Sequence, residues 1–504
     1  MKKLLVKNSL YSIVQVVVSS ALVLLAVPVF INTLGSEEYG LFALIMVVGN
    51  LNTFTNLGLT NTLVKFVAEQ GKTDESNTDI IVNLVLVVLI TLPFSIVFII
   101  FNNFILLNIL GVSSELLEQV KWLYIFVVSA NFFLFVGQNF KAILDALQNV
   151  YITSMLQLIY NVIFWGLILV FLLLGWKLFG VGVAVFLSAF IWFIITLVLV
   201  KIKWGRISPE KFKDNFKSSA AKQIKYGLKI YSSGLIGFFY EPLTKILVSH
   251  FIGIAEVGFY DIVLKLRNQI WSLVSKIYYP LFPFISEQKD KAVIRKYIHA
   301  VEQKAFYVVI PLVAIIILAT KPFIQLWIGN NVEMISIAAV IIVSFHLIGS
   351  TVIPNYHYLM AKDLAEKTIL LQLSNVVFNT IFFFITIKYA GFFAIVIANA
   401  AAITSSFVLS LYYQKKYLNS LIFDSIKQVG KIILIFIISI AATYMVIYYL
   451  QVDDLLRILV APFIVCVVTV LLYRFLNLVT KSDIDMFLGF NEPMSKIAKM
   501  VFIK

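Results

Sequence analysis

The chain has 504 residues, of which 61% are hydrophobic and only 13% charged, with a mean hydropathy of +0.97. Soluble domains carry roughly a quarter charged residues, so this composition excludes a water-soluble enzyme or binding domain as the body of the molecule and places it in lipid. A net charge of +14 would raise nucleic acid as a partner of a soluble protein, but here the charge follows the loops as the positive-inside rule requires, and no nucleic-acid partner is expected.

The N-terminus, Met1-Lys2-Lys3 followed by apolar residues, has the outline of a signal peptide. The uncharged stretch from Asn8 to Ser36 is too long for a signal core, however, and its small residues Ser19-Ser20-Ala21 sit in mid-stretch, so an uncleaved first helix is expected. A crossing helix needs roughly 20 apolar residues. Spans are predicted near 8–33, 40–64, 80–105, 119–141, 150–174 and 179–200, then near 226–251, 256–285, 303–320, 334–359, 368–387, 391–412, 431–450 and 457–478. The fold class is therefore an all-α integral membrane protein with about 14 transmembrane helices and no room for a soluble domain.

Span 2 has an Asn/Thr-rich inner half (Asn50, Asn52, Thr53, Asn56, Thr60, Asn61) that suits either sugar hydroxyls or helix–helix contacts. Pro28, Pro242, Pro280, Pro283, Pro311 and Pro354 lie within or at the ends of spans, as kinks or as the ordinary prolines of membrane helices. Cys466 is the single cysteine, and His250, His299, His346 and His357 show no ligand spacing, so neither a disulfide framework nor a metal or cofactor site is expected. No Walker A, G-x-G-x-x-G or H-E-x-x-H pattern is present.

Eight basic residues lie between Lys201 and Lys225 and five between Lys289 and Lys304, whereas the opposite loops hold Lys121, Lys177, Lys321, Lys388 and Arg457. This asymmetry puts both termini on the cytoplasmic side. The first outer turn reads Gly35-Ser36-Glu37-Glu38-Tyr39-Gly40-Leu41-Phe42, and the turn after span 7 reads Gly253-Ile254-Ala255-Glu256-Val257-Gly258-Phe259-Tyr260. Both fit G-x-x-E-x-G followed by two apolar or aromatic residues. Leu156-Gln157-Leu158 and Leu371-Gln372-Leu373 recur at nearly the same offset. An intervening six spans gives two like-oriented six-helix bundles, residues 1–215 and 216–430, and two C-terminal helices with a tail over 431–504.

Five basic residues remain inside spans 7 and 8, namely Lys229, Lys245, Lys265, Arg267 and Lys276, against two acids, Glu241 and Asp261. Spans 1 and 2 have no counterpart charges. A charge at the bilayer centre costs about 2.5–3.5 kcal/mol even on the gentlest scale, so these residues belong to a protein interior or a water-filled cavity. Gly234, Gly237, Glu241 and Lys245 step along one face of span 7, and Asp261, Lys265, Asn268, Ser272 and Lys276 along one face of span 8. Lys229 lies off the first stripe as an interfacial anchor, and Arg267 lies off the second, toward a neighbouring helix. Glu241–Lys245 and Asp261–Lys265 are also i,i+4 pairs. Positive charge in excess of the acids calls for an anion, and Arg and Lys together suit phosphate.

With these residues the chain resembles the polysaccharide repeat-unit flippases (Wzx-type O-antigen and capsule exporters) of the multidrug/oligosaccharidyl-lipid/polysaccharide exporter superfamily. The resemblance is carried by Leu34 to Phe42, by Ile252 to Tyr260 and by the six-plus-six-plus-two layout. It implies no enzyme but a flippase of the bacterial plasma membrane, moving an undecaprenyl-pyrophosphate-linked oligosaccharide from the cytoplasmic to the outer leaflet by alternating access. The implied partners are the lipid-linked oligosaccharide, membrane lipids and glycan polymerase machinery. Lys245, Lys265, Arg267 and Lys276 are the candidate substrate-binding residues. Glu241 and Asp261 are the candidates for coupling to a proton or sodium gradient.

Two relatives compete with this reading. A lipid II flippase has a pyrophosphate substrate too, and a multidrug or small-solute antiporter of the superfamily commonly has an acid in the first span, which is missing here. A major-facilitator transporter usually carries G-x-x-x-D-R where this chain has Lys65 to Gly71, and a glycan polymerase or ligase needs a long outer loop that is absent.

Overall fold

A chain whose apolar runs are this long has to close its backbone hydrogen bonds within each segment once it is in hydrocarbon, and it does so as helices. The computed structural model describes residues 2–475 apart from 52–56, 209–211, 279–280, 330–331, 363, 420–421 and 451–452. Among the described residues the chain is helical, without strands. In order come α1 (Lys2–Leu51), α2 (Leu59–Gln70), α3 (Asp74–Ile100), the short α4 (Asn102–Phe104) running into a π turn at Ile105–Ile109, α5 (Leu117–Ala146), α6 (Val150–Leu173), α7 (Lys177–Trp204) and α8 (Phe212–Phe251). They are followed by α9 (Ile254–Tyr278), α10 (Leu281–Glu287), α11 (Lys291–Trp327), α12 (Val332–Ser350), α13 (Val352–Ala361), α14 (Ala365–Ala390), α15 (Phe393–Leu418), α16 (Ile422–Tyr449) and α17 (Asp454–Phe475).

Ten helical runs among the described residues are long and apolar enough to cross a membrane, with Ile433–Tyr449 as a shorter one. The charged α9 is not among them. Large apolar side chains such as Leu173, Leu459 and Phe463 are more than 70% exposed, a surface that only lipid covers at no cost. Trp122, Trp176 and Phe179 cluster at the starts of α5 and α7 as an interfacial aromatic group. The molecule is a multi-pass integral membrane protein of the all-α class, with about fourteen crossing segments.

One feature sharpens the sequence expectation and one differs from it. The turn expected at Gly35 between spans 1 and 2 takes that single residue, at φ 88° and ψ 170°, with helix α1 continuous on either side. The ring centroids of Phe30 and Phe42 are 5.0 Å apart, whereas a straight helix would separate them by about 18 Å. The helix therefore folds back at one residue, in a backbone conformation that glycine adopts without penalty. In addition, the basic segments read as loops are largely helical. The 40 residues of α8 and 37 of α11 reach about 60 and 55 Å against a hydrocarbon core of about 30 Å, so their Lys- and Arg-rich turns continue as helix outside it.

The chain forms two compact units, divided between Asp261 and Ile262. In the first, α5 packs on α7, α2 and α3, α1 on α6, and α8 on α1 and α3, around Leu63, Ile80, Ile143, Leu144 and Trp192. In the second, α11 packs on α12 and α17 and α14 on α15, around Phe306, Val309, Ile310, Val313 and Tyr413.

A buried polar junction ties α8 to α3 in the first unit. Asp79 is 2% exposed. Its carboxylate accepts from Ser219 and, at 2.9 Å, from Gln70, and lies 3.5 Å from Lys222 Nζ. One turn further on, Asn83 donates to Gln223 at 2.7 Å. These bonds make the burial of the junction tolerable, with Asn83 Oδ1 as the buried atom left without a hydrogen bond.

Candidate functional site

The two copies of the glycine motif meet inside the first unit. The first glycine of each copy ends a helical arm, and the glutamate three residues later sits in the first turn of the next, where an acid complements the helix dipole. The Glu256 carboxylate turns back on Gly253 so closely that a Cβ at Gly253 would strike it. The second glycines, Gly40 and Gly258, are where the arms touch. A Cβ on Gly258 would lie 3.2 Å from the Gly40 nitrogen and Cα, and one on Gly40 would fall on the Ile254 carbonyl. Small residues allow this approach of two membrane helices.

That approach brings three side chains from different helical segments into register. Lys245 on α8 donates to Asp261 Oδ1 at 2.6 Å, and the Tyr39 hydroxyl on α1 donates to Asp261 Oδ2 at 2.8 Å. All three are buried, with Lys245 8% and Asp261 9% exposed. Beyond them, Ser249 donates to the Leu110 carbonyl at 2.6 Å, and the His250 ring meets the Ile109 carbonyl at 2.9 Å, fixing the end of α8 to the π turn. Glu241 is half-buried one turn before Lys245.

In the second unit, Arg267 on α9 is 8% exposed and donates from Nε and Nη2 to Asn268 Oδ1 at 3.1 and 2.6 Å. One turn along α9, Trp271 meets the edge of His346 on α12, with centroids 4.9 Å apart at 85°. His346 Nδ1 contacts the Ile342 carbonyl at 2.8 Å, which orients the ring, and Arg267 lies within electrostatic reach of it. Lys265 is half-buried. In such surroundings a guanidinium interacts more strongly with an incoming anion than it would in water.

The structure thus brings Lys245 and Asp261 together and places Lys265 and Arg267 further along the same helix α9. The side chains of Lys276 and Lys229 lie outside the described residues, as do residues 52–56 and the side chain of Asn50 in the Asn/Thr-rich stretch. Thr60, from the same stretch, donates to Asn139 of α5 at 3.2 Å and so makes a helix–helix contact. Among the described residues no three His, Cys, Asp or Glu side chains converge as metal ligands would.

Sequence reasoning passed over Tyr39, Asp79, Trp271 and His346. For Asp79 a signal existed, the i,i+4 step Glu75–Asp79–Asn83 at the start of span 3. Tyr39 reads as one more interfacial aromatic until its partner is known.

Residues 5–289 match the model of the family described as "Polysaccharide biosynthesis protein". No curated protein sequence matches the chain significantly. Among solved structures, the chain is similar to the lipid II flippase MurJ in an inward closed conformation, with 16% identity, a TM-score of 0.70, and 93% of this chain and 99% of that one covered. It is also similar to the Vibrio cholerae MATE transporter VcmN, with 13% identity, a TM-score of 0.60, and 84% and 98% covered. An inward-facing multidrug resistance MATE family transporter of the MOP superfamily matches with 13% identity, a TM-score of 0.61, and 81% and 98% covered. At these identities the likeness is one of fold. It gives the fold of these proteins to a chain whose buried charged residues, among those described, are Lys245 and Arg267 with Asp79, Asp261 and Glu302.

Proposed function

The chain belongs to the polysaccharide biosynthesis protein family, and we propose that it is a membrane transporter rather than an enzyme, a flippase for a lipid-linked oligosaccharide repeat unit. The substrate is an undecaprenyl-pyrophosphate-linked glycan, moved from the cytoplasmic to the outer leaflet of a bacterial plasma membrane by alternating access. The observation that carries this reading is the burial of Arg267 and Lys245, each under a tenth exposed, in a chain of this family. Lys245 is held by Asp261 and Arg267 by Asn268, and a pyrophosphate is an anion that Arg can grip in a bidentate way and Lys can meet as a point charge.

In this reading Lys245, Lys265, Arg267 and Lys276 hold the pyrophosphate. Residues 1–215 and 216–430 are the two bundles whose rocking exposes the substrate to each side in turn, and 431–504 are added to them. Both termini lie in the cytoplasm, with the basic turns of α8 and α11 at the anionic inner leaflet. Glu241 and Asp261 couple transport to a proton or sodium gradient, and glycan polymerase machinery receives the product.

Lipid II is the second reading, supported by the 93% coverage of this chain by a lipid II flippase fold. Drug export is less well supported, because the arm of α1 before Gly35 carries no acid from Asn8 on. Deletion of the chain separates the three. The repeat-unit reading predicts loss of surface glycan, with lipid-linked oligosaccharide accumulating on the cytoplasmic leaflet and peptidoglycan intact. Lysis with arrested peptidoglycan identifies lipid II, and sensitivity to cationic dyes with normal glycan identifies a drug exporter.

A further inference from the structure

The carboxylate of Asp261 is divided between two donors, Lys245 on Oδ1 and Tyr39 on Oδ2. The Tyr39 ring packs against Gly258 at the Gly40–Gly258 approach, and Tyr39 is 1% exposed. In the first motif copy Tyr39 occupies the position that Val257 fills in the second, and Ala43 and Val27 stand where the second copy has Asp261 and Lys245. The polar triad is therefore made once, from residues of both copies, and the motif's repetition does not account for it.

Resting on the pyrophosphate reading above, we infer that Asp261 and the substrate's pyrophosphate compete for the Lys245 ammonium, with Tyr39 as the residue that positions Asp261 to win in the substrate-free protein. While Asp261 is ionised, Lys245 is neutralised at 2.6 Å and offers an incoming anion little. A proton on Asp261 removes that counter-charge and leaves a buried ammonium uncompensated, a costly state that an arriving pyrophosphate relieves. Proton and substrate then favour each other's binding, and by linkage each does so to the same degree. Substrate binding and ion coupling, which the sequence assigns to separate residues, become one exchange of partners at Lys245.

Other ionisable groups lie within a few residues of the triad along the same helices: Glu37 and Glu38 on α1, Glu241 and His250 on α8, Glu256 and Lys265 on α9. Lys177 at the start of α7 acts electrostatically on Glu38. An asparagine at position 261 mimics the protonated carboxyl without titrating any of them.

The test is the affinity of the full-length purified chain for undecaprenyl pyrophosphate at neutral pH. Asp261→Asn is expected to bind at least about fivefold tighter than the parent, the lower end for coupled sites. Tyr39→Phe is expected to shift in the same direction by less, and Asp261→Asn with Lys245→Gln to lose the gain. A purely structural role for Tyr39 would lower the amount of folded protein without tightening binding. Equal or weaker binding by Asp261→Asn, with the parent binding normally, overturns the exchange and leaves the pyrophosphate reading standing. Absence of binding by the parent and all variants overturns both. If Asp261→Asn does not fold, Tyr39→Phe decides alone, and unchanged affinity overturns the exchange.

Discussion

Replacing Lys265 and Arg267 together by glutamine is expected to reduce surface glycan to background while the protein accumulates in the membrane at its normal level. Truncating a buried, hydrogen-bonded charge contact costs about 2–5 kcal/mol. Two such losses at the low end give about 4 kcal/mol, which is close to a thousandfold in affinity. Arg267 should account for most of it, since it is 8% exposed and its guanidinium is already oriented by Asn268. Arg267→Lys should recover only part of the display, because a lysine cannot reproduce a bidentate fork. Quantifying surface glycan beside an immunoblot of the membrane fraction checks both halves of the expectation. Normal display by the double variant would remove Lys265 and Arg267 from the substrate site.

Gly40→Ala is expected to cost about 3 kcal/mol of stability, the upper end for overpacking a tight contact, and larger side chains should prevent accumulation. The reason is geometric: the added Cβ falls on the Ile254 carbonyl, a backbone atom that cannot rotate away. Gly258→Ala meets Tyr39 Cδ1 at 3.1 Å and the Gly40 backbone at 3.2 Å, so a smaller loss of about 1–2 kcal/mol is expected. Gly166 in α6 supplies the control, because nothing lies within 4 Å of a Cβ there. Its replacement by alanine should leave stability unchanged or raise it by about 0.5–1 kcal/mol. Thermal unfolding of the three variants in detergent gives the order. If Gly40→Ala and Gly166→Ala unfold together, the close approach of the two motif copies is not a structural determinant.

Much of the fold is legible in hydropathy because lipid imposes one rule on every crossing segment, and α3, α5, α6 and α7 fall on the predicted spans within a few residues at most ends. The reversal between spans 1 and 2 is legible too, in the turn Gly35-Ser36-Glu37-Glu38, but hydropathy does not show that one glycine suffices for it. Nor does it show where a helix ends in water, since Lys and Arg are good helix formers; this is why α8 and α11 extend through segments that read as loops.

The candidate site was legible as a set of charges but not as a set of contacts. The spacing of Asp261, Lys265 and Lys276 defines a face of a helix, and it cannot say which helix that face meets. The partnership of Lys245 with Asp261 runs between α8 and α9, and the second hydrogen bond comes from Tyr39, 222 residues away in sequence. The same limit applies to Arg267. Its position off the stripe follows from the sequence, whereas His346 and Trp271 as its surroundings depend on the packing of α9 and α12.

The central claim is that this chain moves a pyrophosphate-linked glycan across a bilayer, and the most direct test is to watch it do so. The purified chain is reconstituted into liposomes carrying an undecaprenyl-pyrophosphate oligosaccharide with a fluorescent sugar, and a membrane-impermeant quencher is added outside. The predicted result is transbilayer movement well above that of protein-free liposomes, abolished by the Lys265→Gln/Arg267→Gln variant. Movement no faster than in protein-free liposomes, with or without an imposed proton or sodium gradient, would contradict it.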